Sequence, residues 1–480
     1  MSSIKSVLLG LSSGLSGRNL LSLWADLKEA IGGTEKDFTR IKLGKAIFLL
    51  AVPMVLEMIM ESVFAIVDIM FVAKLGADAI ATVGITESLM TMVYAIGFGL
   101  SIATTAIVSR RIGEHNPESA SKSAFQAILA GIVISLLIAV PGIIFSKELL
   151  TLMGASDSII ETGYMYPVIM IGGNSVIMLL FIINAIFRSS GDAALSLRVM
   201  VLANILNIIL DPCFIFGWGP FPELGVMGAA VATNIGRGVA VVYQFYILFR
   251  GKHRIKLALR HMKFSLEIVT KLLKLSIGGI FQNIIATSSW IFLVRIISGF
   301  GTDAVAGYFI GIRILIFTLL PSWGLANAAG TLVGQNLGAK EPERAQRAVM
   351  AAAWFNMILL GMVAVVFIWN PGYFISLFTK EAEVVKAGIV CLRTISYGYI
   401  FYAMGMVMMQ AFNGAGDTRT PTYINLMAFW AIEIPLAYFL SEIPGVEEKG
   451  VYLAIIIAET ILSLTAFYLF RKGHWKKRVV

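Results

Sequence analysis

The sequence is poor in charge and nearly empty of cysteine and histidine. Lys, Arg, Asp and Glu make up 14% of its 480 residues, against about 25% in soluble domains. That is too little ionic surface to coat a water-facing body of this size, so a string of soluble domains is excluded. The two cysteines, Cys213 and Cys391, both sit inside apolar runs. They read as small hydrophobes, which excludes a disulfide framework. No metal-ligand spacing, phosphate loop or nucleophile–base set appears, so nothing points to an enzyme or to a bound cofactor. The early stretch SVLLGL is too short, and too poorly followed by small residues, to be a cleavable signal.

What is abundant is apolar sequence, at 58% of the chain. The runs are about 20–30 residues long, the length of a membrane-crossing helix, whereas barrel strands need only about ten. The expected fold is therefore an all-α integral membrane protein. Twelve spans are expected near 46–72, 82–109, 124–146, 159–187, 193–217, 225–249, 272–299, 304–334, 347–369, 384–411, 420–440 and 450–470. The net charge of +9 does not signal nucleic acid, because the basic residues lie in short loops between the runs. One set of loops, with both termini, holds 29 of the 38 Lys and Arg; the opposite set holds five, Lys74, Lys147, Lys380, Lys386 and Lys449. Positive residues stay inside, so both termini are expected in the cytoplasm of a multi-pass cell-membrane protein.

The domain organisation expected is a cytoplasmic segment at 1–45, six spans at 46–249, a basic linker at 250–271, six spans at 272–470 and a basic tail at 471–480. In the first segment Leu20, Leu23, Trp24, Leu27 and Ile31 recur at helical spacing before Gly32-Gly33, the pattern of an interfacial amphipathic helix.

A shift of 225 residues aligns the two halves without a gap. LGADAIA at 75–81 meets FGTDAVA at 300–306, and IVSRRIGEHNPESA at 107–120 meets LVGQNLGAKEPERA at 332–345. FRSSGD at 187–192 meets FNGAGD at 412–417, and ELGV at 223–226 meets EKGV at 448–451. These are mostly loop residues, so shared apolar composition does not explain them. Six spans separate equivalent positions, which gives two lobes of like orientation related by an axis along the membrane normal. Alternating-access carriers use that arrangement. The repeated Gly-Asp at 191–192 and 416–417 is expected to end one helix and cap the next.

Carboxylates inside spans are costly, at about 2.5–3.5 kcal/mol each on insertion scales. Span one has three, Glu57, Glu61 and Asp68, all within about 40° of one helix face. Asn204, Asn207 and Asp211 share a face of span five. At 1.5 Å per residue, Asp211 and Asp68 both lie about 6–9 Å from the outer end, and the others fall at matching deeper levels. Thr233 and Arg237 of span six lie in the same range, so these groups are expected to form one polar pocket in the first half, with Arg237 a counter-ion to Glu57 or Glu61. Pro53 and Pro212 lack an N–H and are expected to be hinge points. The second half has Gln282, Leu293 and Leu436 where the first has Glu57, Asp68 and Asp211. Its own acids, Glu433 and Glu459, have no acidic counterpart in the first half. Ion chemistry is therefore expected in the first half.

These residues resemble a known family. A proline fifteen residues before an aspartate in span one, followed by FVAKLGADAIATVGI, is similar to the first helix of multidrug and toxic compound extrusion (MATE) transporters. So are NIILDP at 207–212, GVMGAAVAT at 225–233, GAGDTRTP at 414–421 and the repeat itself. The resemblance covers about residues 45–470. It implies two pseudo-symmetric six-helix lobes forming a V-shaped cleft, and export of amphipathic, mostly cationic small molecules against an inward flow of H⁺ or Na⁺. It places cation coupling on Asp68, Asn207 and Asp211, with Thr233 on the sixth helix, and makes the first three Na⁺ ligands if Na⁺ is the coupling ion. Glu61 stands where relatives commonly carry Gln, and Glu57 is a further acid; both are counted with the expected cation-coupling residues, as added protonation sites or as groups that shift the preference between Na⁺ and H⁺. The first half also reads GDAALSLR at 191–198, without the TRTP of the second. The expected partners are small-molecule substrates and the lipid bilayer, with no nucleic acid, and the chain is expected to act as a monomer. A lipid-linked precursor flippase of the same superfamily is the alternative, but it needs more spans. A major-facilitator carrier needs a basic DRxGRR-type loop after span two, which is missing here.

Overall fold

The computed structural model describes residues 20–33, 36–250 and 253–480. SVLLGL and the rest of residues 1–19 lie outside the described residues. Regular structure among the described residues is helical throughout. Eleven helices are long and apolar enough to cross a membrane, and a bent pair, Ala382–Ser396 with Tyr399–Gly414, makes a twelfth span with a 56° break. In the first half the spans are Leu43–Leu75, Ala77–Gly113, Pro117–Ile144, Met165–Ser190, Ala193–Phe216 and Val226–Arg250. In the second they are Leu266–Phe300, Thr302–Gly338, Pro342–Trp369, the bent pair, Arg419–Ser441 and Glu448–Lys472.

Local chemistry sets the ends. Pro117 occupies the first turn of span three, where a missing N–H costs nothing, and Asn116 Oδ1 accepts the Ser119 N–H at 2.9 Å. Gly191 ends span four in the left-handed region, with φ of 98°, and Gly416 repeats this with φ of 82°. The repeat extends to backbone that side chains normally avoid. His115 and Lys340, 225 residues apart, both have positive φ, at 55° and 61°.

The outward face of span three carries exposed Val133, Leu137, Val140 and Ile144 at helical spacing. Their repeat equivalents on span nine, Ile358, Met362, Val365 and Trp369, are exposed too. An apolar stripe turned away from the packed interior is the lipid face of a spanning helix.

Asp192 precedes span five but does not cap it with its side chain, contrary to the sequence expectation. It lies 3.5 Å from His253, in the segment after span six, and Asp417 accepts from Arg478 at 3.0 Å, in the segment after span twelve. Positions 253 and 478 are again 225 apart, so each Gly-Asp ties down the tail of its own lobe.

The chain forms two compact units, one containing Asp37–Val55 with Phe281–Val480, the other containing Leu56–Ile280. The division runs through spans one and seven, at equivalent places, and not at the 250–271 linker. Within one unit, a Cβ on Gly324 of span eight would lie 2.7 Å from the backbone of Met54 and Val55. Within the other, a Cβ on Gly99 of span two would lie 2.7 Å from the Ser276 carbonyl of span seven. Both positions need glycine because backbone meets backbone there. The linker packs in the second of these units: Gln126 of span three donates to the Lys263 carbonyl at 2.8 Å, and Ile255 and Leu257 are buried. In the helix Leu20–Gly32, Trp24 and Ile31 are exposed, while Asp26 accepts from Lys45 at 2.7 Å. The side chains of Leu20 and Leu23 lie outside the described residues.

Candidate functional site

Within the Leu56–Ile280 unit, the polar faces of spans one, five and six meet. Span one enters with three carboxylates on one face because their spacing of four and seven residues follows the helix turn. Glu57 is 2% exposed and is held from span four. Arg188 donates to its Oε1 at 2.8 Å and Asn184 at 3.1 Å, while Gln244 of span six donates to Asn184 Oδ1 at 2.7 Å. One turn further out, Arg237 of span six donates to Glu61 Oε1 at 3.0 Å and lies 4.8 Å over the Phe64 ring. Of the two counter-ion roles expected for Arg237, its partner is Glu61.

In the C-terminal half of span five, Asn207 Nδ2 donates to Asp211 Oδ1 and to Thr233 Oγ1, both at 3.1 Å. The first bond follows from a four-residue spacing on one helix. The second joins spans five and six, which Gly236 lets approach closely: a Cβ there would lie 3.0 Å from the Ala203 carbonyl. Asp211 and Asn207 are fully buried, and Asp68 is half-buried. Asp68 lies within electrostatic reach of Asp211 and of Arg237. Asn207 Oδ1 and Asp211 Oδ2 are buried without a hydrogen-bond partner. Beside Asp68 they make a small set of hard oxygen atoms, suited to a proton or a monovalent cation. Among the described residues no group of three or more His, Cys, Asp and Glu side chains is arranged to hold a metal ion.

Asp68, Asn207, Asp211, Thr233 and Glu61 therefore gather in one region, with Glu57 a turn deeper. Asn204 does not pair with Glu57 as matching depth suggested; its Nδ2 donates to the Met60 carbonyl at 2.8 Å. Pro53 lies in the other compact unit, three residues before the division of span one, and Pro212 follows Asp211 inside span five. Sequence reasoning missed three participants. Glu87 of span two accepts from Tyr94 at 3.4 Å and feels the charges of Arg237 and Asp68. Arg188 falls one residue beyond the span expected near 159–187 and so reads as a loop residue. Asn184 was masked by its apolar neighbours. An acid inside span two, and a basic residue one turn from the end of span four, were the available signals.

Three comparisons bear on this arrangement. A family model described as MatE matches residues 53–213 and again 279–439, one match in each half of the repeat. The chain is 25% identical over 440 residues, 91% of its length and 95% of the relative's, to a probable multidrug resistance protein, YoeA, of Bacillus subtilis. It is 26% identical over 434 residues, 90% of this chain and 95% of the relative, to an FAD transporter of Shewanella oneidensis. Among solved structures it resembles an outward-facing multidrug resistance MATE family transporter of the MOP superfamily, with a TM-score of 0.86, 25% identity and coverage of 92% of this chain and 98% of that one.

Proposed function

The chain belongs to the MatE family, a family of transporters and not of enzymes, and from that premise we propose that it is a cation-coupled antiporter exporting amphipathic small molecules by alternating access. The chain is a multi-pass membrane protein related to multidrug efflux transporters. The coupling step is our reading, and the observation that carries it is the Asn207–Asp211–Thr233 group with two unpartnered buried oxygens beside Asp68. Two neighbouring acids in a buried site resist simultaneous ionisation, and a bound H⁺ or Na⁺ relieves that repulsion. Binding the ion and releasing it thus changes the charge on the faces of spans one and five. Glu57 and Glu61 are neutralised by arginines and set the local field, which leaves Asp68 and Asp211 to exchange the ion.

The excess of acids over bases in this half favours cationic substrates. An acid-lined pocket attracts a lipophilic cation and repels an anion. In this reading both termini are cytoplasmic and the protein works as a monomer in the cell membrane. Span one bends near Pro53, where a backbone hydrogen bond is missing. Neutralising the acids just beyond the proline releases their hold on water and lets the outer part of the helix swing. Spin labels flanking Pro53 should change separation between alkaline and acid pH, or between zero and saturating Na⁺, and Asp68→Asn should remove the change. An insensitive distance in a transport-active protein refutes the bending step.

The defining experiment is efflux from proteoliposomes under imposed Na⁺ or pH gradients, with a lipophilic cation and a flavin nucleotide as alternative cargo. Cation efflux driven by either gradient supports the reading. Gradient-independent movement, or movement of the nucleotide alone, contradicts it.

A further inference from the structure

The helix Leu20–Gly32, which precedes span one, takes no part in the coupling site and is none of the twelve spans. Its inner face is fixed. Lys45, in the first turn of span one, donates to Asp26 at 2.7 Å and lies 2.8 Å from Glu29, so one ammonium group holds two acids of the helix. Asp26 and Ala30, four residues apart on this face, are buried.

The outer face is of another kind. Trp24, Lys28 and Ile31 follow at spacings of four and three residues, which puts them about 140–200° around the helix from Asp26. Trp24 is 68% exposed, Ile31 40%, and Lys28 is exposed beside them. Leaving an indole and a branched aliphatic side chain bare to water forfeits the stabilisation that burial gives. Ala25 is exposed as well, but about 100° on from Trp24, on a third face.

Position decides what covers the Trp24 face. Ala46, Ile47, Phe48, Leu49 and Leu50 follow Lys45 directly, so the apolar run of span one begins at the residue that holds the helix. The helix is thereby fixed at the level where hydrocarbon gives way to headgroups. An indole favours that layer, with its ring toward the acyl chains and its N–H toward the headgroups. A lysine one turn away lays its stem along the apolar surface and reaches a phosphate with its ammonium. The charge presented outward is of one sign. Lys28, Lys36 and Lys42 are exposed, whereas Asp26 and Glu29 turn to Lys45 and Asp37 lies 3.3 Å from Arg40. A second copy of the chain on this face would set these cations against their own kind, while an anionic lipid surface attracts them.

We propose that the helix Leu20–Gly32 is an interfacial anchor that docks on the anionic headgroup layer of the cytoplasmic leaflet. Trp24 and Ile31 enter the upper acyl region, and Lys28 and Lys42 meet lipid phosphates. Through Lys45 the anchor holds the first turn of span one at a set depth. It depends neither on the coupling ion nor on Asp68 and Asp211.

The test uses the full chain with Cys213→Ala and Cys391→Ala, spin-labelled at Ala25→Cys or at Ile31→Cys. It is reconstituted in phosphatidylcholine vesicles with or without phosphatidylglycerol. Accessibility to oxygen, which partitions into lipid, is compared with accessibility to a water-soluble nickel chelate. With phosphatidylglycerol present, the oxygen-to-nickel ratio should be several-fold higher at position 31 than at position 25. Omitting phosphatidylglycerol, or adding Lys28→Gln with Lys42→Gln, should shrink that difference. Equal ratios at the two positions overturn the proposal, and so does a difference that ignores phosphatidylglycerol. Spin–spin broadening at position 31, with poor access for both reagents, assigns the face to a second copy and overturns it too. If labelling loosens the helix, quenching by brominated phospholipid gives an independent reading. Wild type should lose more tryptophan emission than Trp24→Phe, and equal losses overturn the proposal.

Discussion

At one position of the repeat the two halves solve the same packing problem with different chemistry. In the first half Glu57 of span one meets Arg188 of span four at 2.8 Å. In the second, 225 residues on, Gln282 of span seven meets Asn413 of span ten, each amide donating to the other at 3.1 Å. One turn further out, Glu61 and Arg237 correspond to Ala286 and Leu462, an apolar pair. Asp68 and Asp211 correspond to Leu293 and Leu436. The fold needs a joint at the Glu57–Arg188 position, and a neutral pair suffices for it. The charges of the first half are therefore additional to what the architecture requires, and they surround the group proposed to exchange the ion. The second half instead buries Glu433, held by Ser289 at 2.6 Å, at the end of a π turn that the first half lacks.

The largest expected effect separates the two joints. Arg188→Ala leaves Glu57 buried and uncompensated, a loss of about 3–5 kcal/mol. Asn413→Ala leaves a neutral amide short of partners, a loss of about 1–3 kcal/mol. Thermal unfolding of the purified variants measures both, and equal losses would remove the distinction drawn here. The double exchange Glu57→Gln with Arg188→Asn copies the second half's joint into the first, and should unfold at a higher temperature than Arg188→Ala alone.

The close approaches should behave alike in both halves. Gly99→Ala and Gly324→Ala each drive a Cβ into helix backbone, and overpacking of that kind costs about 1–3 kcal/mol. Sensitivity of one and tolerance of the other would break the symmetry of the two crossings. The smallest effect belongs to the ties at Asp192 and Asp417, buried acids whose basic partners are partly exposed, where Asp→Ala should cost about 0.5–1.5 kcal/mol. Thermal unfolding of the two variants measures it, and a large loss in one alone would separate the two tails.

Much of this organisation was legible in the sequence, because it is written in long apolar runs and in loop residues. The ends of spans three and nine, at Ile144 and Trp369, fall where apolar sequence gives way to polar sequence. The 225-residue offset was visible in glycines, prolines and acids, and the same offset governs positive-φ backbone at His115 and Lys340. Helix-face arithmetic brought Asp68, Asn207, Asp211 and Thr233 together because each lies in a regular helical stretch. It failed where a partner came from elsewhere. Arg188 sits at a helix end and reads as a loop residue, and Asn204 satisfied a backbone carbonyl that no periodicity reveals. It also gave no sign of the π turn over Leu426–Glu433, because nothing in the apolar periodicity marks it.

Ion coupling is proposed to reside in the first half, at Asp68 and Asp211. The most direct measurement is gradient-driven efflux of a lipophilic cation such as ethidium from proteoliposomes containing wild type, Asp68→Asn or Asp211→Asn at matched protein levels. Both variants should fold, insert and bind the dye, and neither should drive efflux with an imposed Na⁺ or pH gradient. Full gradient-driven efflux by both variants would contradict it.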